Sequence, residues 1–237
     1  MTSRLFQRIP EKYRRAVIVA PLVPLLLFLL WLSTSRAVSS GIDYFIERAL
    51  DRWSETDRKP SMEQWQEAEK LLSLAVSLSP KDPRLMSHGA QLYEWGAWLV
   101  RDDNDAHNAR IQRALDFHRR GLRSRPAWPY AWADFAAAKA RTDTFDDEFQ
   151  HAYKNAAELG PWEVGVQLEL VGIGLKNWRK LTSDNRDRLL RVIENALAVQ
   201  QRRLFSEVEK SQNLPLLCYA LEDNPKVFDH CQANHLY

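Results

Sequence analysis

Apolar residues recur along most of this chain at intervals of three and four, the spacing that places them on one face of an α-helix. The segment from Ile42 to Trp53 is one example, and the chain from Ser61 onward shows the same spacing with few interruptions. Alternating β-branched residues bounded by turn signals, the pattern typical of strands, do not occur. Glycine is scarce, at 8 residues. The sequence therefore predicts an all-α protein.

Prolines and polar caps indicate where the predicted helices begin. Pro83, Pro129 and Pro161 each stand where a helix can start, because the first helical position needs no backbone N–H. Ser61, with Gln64 three residues later, has the pattern of a capping box. These signals predict helix starts at about residues 61, 83, 129 and 161.

Three segments share one pattern, in which a small residue precedes a proline by five positions and further packing residues lie three and seven positions before the small one. The prolines are 46 and then 35 residues apart. This arrangement resembles the second helix of a tetratricopeptide repeat, whose small residues let paired helices approach closely. The resemblance implies a TPR-like helical-repeat solenoid. The three sets are Ala68, Leu72, Ala75 and Pro80; Ala114, His118, Gly121 and Pro126; and Phe149, Tyr153, Ala156 and Pro161.

The first-helix signature of the repeat is present in a degraded form. Counted from Pro83, Ala90 and Tyr93 occupy a small and an aromatic position of the repeat. Counted from Pro129, Trp132 and Ala136 occupy its Trp and Gly/Ala positions. Two further helices are predicted after Pro161, over residues 162–178 and 183–203, and terminal capping helices follow.

An uncharged apolar run of 17 residues extends from Ala16 to Leu32, and Ser33 to Ser35 lengthen it to about 20, the length that crosses a bilayer core. The preceding residues 1–15 are basic and are expected to stay in the cytoplasm. The sequence thus predicts a single-pass anchor with an exported C-terminal domain. The alternative is a cleaved signal peptide, since Ser35 and Ala37 are small residues at cleavage-type positions.

Charge and cysteine usage narrow the possible partners and compartments. The net charge is +2, of which residues 1–15 carry +4, so the rest of the chain is slightly acidic and predicts no nucleic-acid partner. Cys218 and Cys231 are the two cysteines, both within the last 20 residues. In an oxidising compartment they are expected to form a disulfide, and the alternative is a pair of buried thiols.

No catalytic or metal-binding motif emerges from the residue spacing. No HExxH, Cys-x-x-Cys, phosphate loop or GxSxG motif occurs. We therefore expect no cofactor, no metal and no enzymatic activity. The tryptophans at apolar helical positions are expected to pack in the core. Those residues are Trp65, Trp95, Trp98, Trp132, Trp162 and Trp178.

The predicted organisation is a basic tail (1–15), a transmembrane anchor (16–35), a membrane-proximal helix and linker (36–60), TPR-like repeats (61–203) and capping helices (204–237). Repeat proteins bind partners on an extended groove. The resemblance to tetratricopeptide repeats implies that the groove carries partner-binding residues from successive first helices. They are Arg84, Gln91, Glu94, Trp95, Tyr130, Arg141 and Lys176.

The overall plan, together with the segment from Arg125 to Trp132 (RPAWPYAW), resembles the VpsP family of bacterial exopolysaccharide-biosynthesis proteins. That resemblance implies a non-enzymatic inner-membrane accessory protein, with its C-terminal domain in the periplasm, that binds other proteins of the polysaccharide assembly machinery and takes no small-molecule substrate. Two alternatives remain open: an envelope chaperone or translocon-associated protein, and a cell-wall-active enzyme on a helical fold.

Overall fold

A computed structural model describes residues 19–55, 59–210 and 212–236. Over these residues the chain forms eleven α-helices and one 3₁₀ helix, without a strand, which confirms the all-α prediction. The predicted basic tail and residues 16–18 of the predicted anchor lie outside the described residues. The helices are α1 (Leu22–Glu55), α2 (Met62–Leu78), α3 (Pro83–Leu99), α4 (Asn104–Ser124), α5 (Pro129–Arg141), α6 (Asp147–Leu159), α7 (Val164–Lys176), the 3₁₀ helix (Trp178–Lys180), α8 (Ser183–Val199), α9 (Gln201–Lys210), α10 (Leu214–Ala220) and α11 (Pro225–Ala233).

Internal contacts divide the chain into two units, residues 1–59 with 66–80 and residues 60–65 with 81–237. In the second unit, every helix from α3 to α11 contacts the next one along the chain. Contacts also join α5 to α7, α6 to α8 and α7 to α9. Each helix thus packs on its sequence neighbours, and the assignment to a repeat solenoid remains a prediction.

The long helix α1 belongs to the first unit and is continuous over 34 residues. Its first part is exposed and apolar, and the helix is long and apolar enough to span a membrane. A buried stripe begins at Ser35 and runs down one face to Trp53. Within that stripe, Ser39 Oγ donates a hydrogen bond of 3.1 Å to the carbonyl of Ala75 in α2. The predicted anchor and the predicted membrane-proximal helix are therefore one uninterrupted element.

The packing face predicted from the three repeated sets is buried at every helical position, from Ala68 in α2 to Ala156 in α6. The corresponding residues of α8 are Leu189, Ile193 and Ala196, and they are buried as well. Small side chains on this face let neighbouring helices approach closely. The periodicity of the sequence was thus sufficient to identify these core-facing residues.

The predicted helix starts at residues 61, 83 and 129 are confirmed to within one residue. Pro83 and Pro129 occupy the first turns of α3 and α5. Ser61 and Gln64 form the reciprocal capping box, with bonds of 3.0 and 3.2 Å. The start predicted at Pro161 is wrong, because side chains bind the Pro161 carbonyl outside the helix. Gln167 donates to it at 2.7 Å, and α7 begins at Val164.

Two predicted helix ends are also wrong. The predicted helix over residues 183–203 divides at Gln200, where the backbone leaves the helical conformation and the side chain donates to Gln167 of α7. Trp178 lies beyond α7, in the 3₁₀ helix. At the C-terminus, Cys218 of α10 and Cys231 of α11 form the predicted disulfide, with their Cα atoms 6.0 Å apart.

Trp65 is packed against α3 in the second unit and is buried, as predicted. Its Nε1 donates a hydrogen bond of 2.7 Å to the Leu92 carbonyl, and the guanidinium of Arg110 lies 4.3 Å from its ring centroid. Gly96 makes this approach possible, since a Cβ at that position would lie within 2.6 Å of the indole.

Candidate functional site

A cavity of about 410 Å³ lies among α3, α4 and α5; we call it the α3–α5 cavity. The side chains along α3 reach it at a spacing of three to four residues, so one helical face supplies a whole wall. The wall is mostly apolar, and charged groups stand among the apolar ones. The lining residues are Gln91, Glu94, Trp95, Ala97, Trp98, Arg101, His107, Ile111, Ala114, Leu115, Ala138, Arg141 and Thr142.

Two tryptophans give the α3–α5 cavity its largest aromatic surface. The rings of Trp95 and Trp98 meet edge to face with centroids 6.0 Å apart. The guanidinium of Arg101 lies 4.5 Å from the Trp98 ring, a cation–π distance. His107 is held by a contact of 3.0 Å between its Nδ1 and the Ala97 carbonyl. Trp98 is thus in contact with both Trp95 and Arg101, and His107 joins α4 to the backbone of α3 beside them.

Glu94 makes charged contacts with residues of two other helices in this region. Its Oε1 lies 3.1 Å from His118 Nε2, and its Oε2 accepts a hydrogen bond of 2.7 Å from Arg141. Burial by itself would raise the pKa of Glu94, but the hydrogen bonds and charges of His118 and Arg141 outweigh burial and lower it. Glu94 is therefore ionised at neutral pH and ties α3 to α4 and α5.

A second cavity, of about 670 Å³, lies among α5, α7 and α9; we call it the α5–α9 cavity. Arg141 lines both cavities, and Lys176 lines only this one. Glu169 and Glu207 also line it. Burial raises the pKa of Glu169, the Arg141 charge opposes that effect, and neighbouring carboxylates add to it.

A third and smaller space, of about 250 Å³, lies among α3, α4 and the start of α5; we call it the Trp128 cleft. His118 and Asp134 line it, so the Glu94 network stands between this cleft and the α3–α5 cavity. Burial raises the pKa of Asp134; the charge of His118 opposes this, and that of Glu94 adds to it.

The structure distributes the seven predicted partner-binding residues over several places. Arg84 lines the Trp128 cleft, and Lys176 lines the α5–α9 cavity. Tyr130 lines none of the three spaces; its hydroxyl donates to Glu163 at 2.9 Å, and its ring packs beside Gly165. The α3–α5 cavity brings together the other four, which are Gln91, Glu94, Trp95 and Arg141.

The ionisable residues of these sites that were not predicted from the sequence include His118, Asp134, Glu169 and Glu207. His118 was assigned only to the packing face, and the three carboxylates belong to otherwise ordinary helical segments. Their significance comes from contacts between helices that are distant in sequence, which residue spacing does not reveal. In the part of the chain that the structure describes, no group of three or more His, Cys, Asp or Glu side chains is placed to hold a metal ion.

The prediction that the tryptophans pack in the core is wrong for two of them. Trp98 is 38% exposed because it lines the α3–α5 cavity, and Trp162 is 62% exposed because it lies in the turn before α7. Trp95, Trp132 and Trp178 are half-buried. These exposed indoles are surfaces that a partner could cover.

A scan against protein-family models found no family that matches this sequence, and a search of curated proteins found no match either. The argument for function therefore rests on the residues that line the three spaces and on the apolar helix α1.

Proposed function

We propose that this chain is a non-enzymatic adaptor, anchored in the bacterial inner membrane by α1, that binds a segment of a partner protein in the α3–α5 cavity. The observation that carries the proposal is the exposed Trp98 beside a mostly apolar cavity of about 410 Å³. Tryptophan and arginine dominate the energetics of protein–protein interfaces. Here Trp95, Trp98, Arg101 and Arg141 are concentrated in one place.

The α3–α5 cavity suits an apolar side chain anchored by polar contacts at its edge. Filling it with one leucine- or phenylalanine-sized side chain would contribute about 1.5–3 kcal/mol of binding free energy from burial. Glu94 is already paired with Arg141 and His118, so the network is ordered before a partner arrives. Such preorganisation reduces the entropic cost of binding.

Membrane attachment and export form the second part of the proposal. The exposed apolar part of α1 would be stable in a bilayer and not in water. The Cys218–Cys231 disulfide supports an oxidising compartment for the C-terminal end. With the basic N-terminus in the cytoplasm, that compartment is the periplasm.

The cellular role that we propose is exopolysaccharide biosynthesis or export, with other proteins of the polysaccharide assembly machinery as partners. This part rests on the resemblance to the VpsP family. An envelope chaperone or translocon-associated protein would use the same anchor and the same cavity, so the identity of the captured partner decides between the two.

The test is photo-crosslinking in living cells from a probe residue at Gln91, an exposed position on the α3–α5 cavity. The crosslinked partner is identified by mass spectrometry, and the experiment is repeated with Trp98→Ala and with Trp162→Ala as the matched control. The adaptor proposal expects a defined envelope partner that is lost with Trp98→Ala and kept with Trp162→Ala.

Glycosyltransferases or export proteins among the products would support the polysaccharide role. Translocon components and newly exported chains would favour the chaperone alternative instead. A crosslinking pattern that is the same in both variants would rule out the α3–α5 cavity as the binding site.

One observation favours the enzyme alternative, a cell-wall hydrolase. Glu169 and Glu207 line the same cavity, and a carboxyl group with a raised pKa beside a second carboxylate is the arrangement of a general acid. Release of soluble fragments from purified peptidoglycan, compared between the wild type and Glu169→Gln, tests it. Activity that disappears in Glu169→Gln would replace the adaptor proposal.

A further inference from the structure

The Trp128 cleft is smaller than the α3–α5 cavity and, like it, combines a mostly apolar surface with polar and charged side chains. It holds about 250 Å³, and polar and charged side chains of α3, α4 and α5 surround one exposed indole. Its apolar surface comes from Phe117, a few small residues and the indole itself. The lining residues are Pro83, Arg84, Ser87, His88, Phe117, His118, Gly121, Arg125, Trp128, Ala131 and Asp134.

Trp128 supplies a flat aromatic face at the edge of this cleft. It is the N-cap residue of α5 and is 48% exposed. Its ring lies 5.4 Å from the ring of Tyr130, which supports it from one side. An indole held this way, beside a space whose lining includes several polar groups, is a platform for a ligand that has both an apolar face and hydroxyl groups.

Asp134 provides the acceptor that such a ligand needs. Its carboxylate is half-buried and makes no hydrogen bond or ion pair with any residue that the structure describes. A half-buried acceptor without a donor from the protein loses part of the hydration that it has in water, so a ligand hydroxyl that donates to it regains part of that free energy. The raised pKa of Asp134, caused first by burial, agrees with this loss of hydration.

Arg125 supplies donors on the same cleft. It is exposed, and its guanidinium makes no hydrogen bond or ion pair within the described residues. An aromatic face, an acceptor without a partner and a set of free donors thus converge on one small space. A peptide side chain would use the aromatic face and leave most of these polar groups unsatisfied.

We propose that the Trp128 cleft binds one pyranose residue of a glycan. The C–H face of the sugar ring packs on Trp128, its hydroxyl groups donate to Asp134, and a hydroxyl or carboxylate oxygen accepts from Arg125. This site is separate from the α3–α5 cavity and holds whether or not a protein partner binds there. It gives the chain a direct contact with carbohydrate.

The test uses the full-length chain in lipid nanodiscs and saturation-transfer NMR with three tetrasaccharides: cellotetraose, chitotetraose and a hyaluronan tetrasaccharide that carries uronate groups. At least one of them is expected to bind. Trp128→Ala and Asp134→Asn should each weaken that binding at least tenfold, because each removes one of the required contacts.

The control is Trp162→Ala, which removes a more exposed tryptophan outside the cleft and should leave binding unchanged. Trp128→Phe keeps an aromatic face and should retain more binding than Trp128→Ala. This comparison separates the effect of stacking from an effect of misfolding. The proposal is overturned if none of the tetrasaccharides binds at about 10 mM, a weak-binding limit. Binding that survives in both Trp128→Ala and Asp134→Asn would overturn it equally.

Discussion

The ammonium group of Lys139 lies 2.7 Å from Oε2 of Glu148, and the lysine side chain is only 2% exposed. Asp146 accepts a second bond from the same ammonium at 2.9 Å. Glu148 also receives two hydrogen bonds from Arg119, at 2.7 and 2.9 Å. One carboxylate therefore joins α4, α5 and α6, and these contacts compensate the buried lysine charge.

Replacing Glu148 with glutamine should destabilise the second unit. Lys139 would keep Asp146 but lose the negative charge of its nearer partner, and a buried charge with less compensation is costly. We expect a loss of about 2 kcal/mol, below the cost for a fully buried pair because Glu148 is partly exposed. Thermal unfolding of the full-length chain in detergent, followed by circular dichroism, measures it. Asp116→Asn, which removes an exposed partner of Arg119, is the control and should cost less than about 1 kcal/mol.

The ionisation of Glu148 should also make the stability of the fold depend on pH. Hydrogen bonds from Arg119, and then those from Lys139, outweigh burial and lower the pKa of Glu148 from 4.5 to about 2. Because the pKa is lowered on folding, the stabilisation is complete above about pH 4.5 and disappears as the pH falls toward about 2. The difference in melting temperature between the wild type and Glu148→Gln should therefore shrink over that interval. A difference that stays constant would show that Glu148 is not ionised in the native pair.

Two glycines of the helices should respond in opposite ways to alanine. Gly96→Ala places a methyl group within 2.6 Å of the Trp65 ring, which two polar contacts hold in position, so we expect a loss of about 1–3 kcal/mol. In Gly172→Ala the nearest atom to the new methyl group is an oxygen of the flexible Glu207 side chain at 3.7 Å, so no clash is expected. The higher helix propensity of alanine should then stabilise the fold by about 0.5–1 kcal/mol. Melting temperatures of the two variants measure the contrast. Stabilisation by both would mean that Trp65 does not pack on α3 as described.

Removing the disulfide with Cys218→Ala and Cys231→Ala should loosen α10 and α11. The bridge closes a loop of about 14 residues, which is worth about 3 kcal/mol in the chain-entropy treatment. Hydrogen–deuterium exchange should rise over residues 212–236 and change little in α3 to α6. An equal rise in exchange in all the helices would instead mean that the bridge stabilises the whole unit.

Membrane attachment by α1 can be tested through charge. Leu26→Lys combined with Leu29→Lys places two cations in the exposed apolar part of the helix, at a cost of about 2.5–3.5 kcal/mol each in a bilayer centre. The variant should be extracted by alkaline carbonate, whereas the wild type should stay with the membrane. Leu71→Lys with Leu74→Lys, at exposed positions on α2, is the control and should not change the extraction.

Residue spacing predicted the helices and their core faces because both depend on local chemistry. Ala75 and Tyr153 could be assigned to the buried face without knowledge of any partner. The division at Gln200 could not be predicted, because it accompanies a hydrogen bond to Gln167 on another helix, which residue spacing does not reveal. The helix start at Pro161 was mispredicted for a similar reason. Its carbonyl accepts from the Gln167 side chain, six residues away, and not from a backbone N–H of α7.

The candidate site was predictable only in part for a related reason. Four of the proposed groove residues do meet at one cavity, since a single face of α3 carries three of them. His118 and Asp134 were missed because their role comes from Glu94 and from a cleft formed by three helices. Glu94 itself was proposed as a partner-binding residue, and the structure shows in addition that it links α3 to α4 and α5.

The unbroken course of α1 has a mechanical consequence. At 1.5 Å per residue, its 34 residues form a rod about 50 Å long, well beyond the roughly 30 Å of a bilayer core. No proline or loop separates the exposed apolar stretch from the buried stripe that includes Ser39. A rotation of the rod about its axis would therefore turn Ser39 by the same angle against the Ala75 carbonyl of α2, without a joint to absorb the torque.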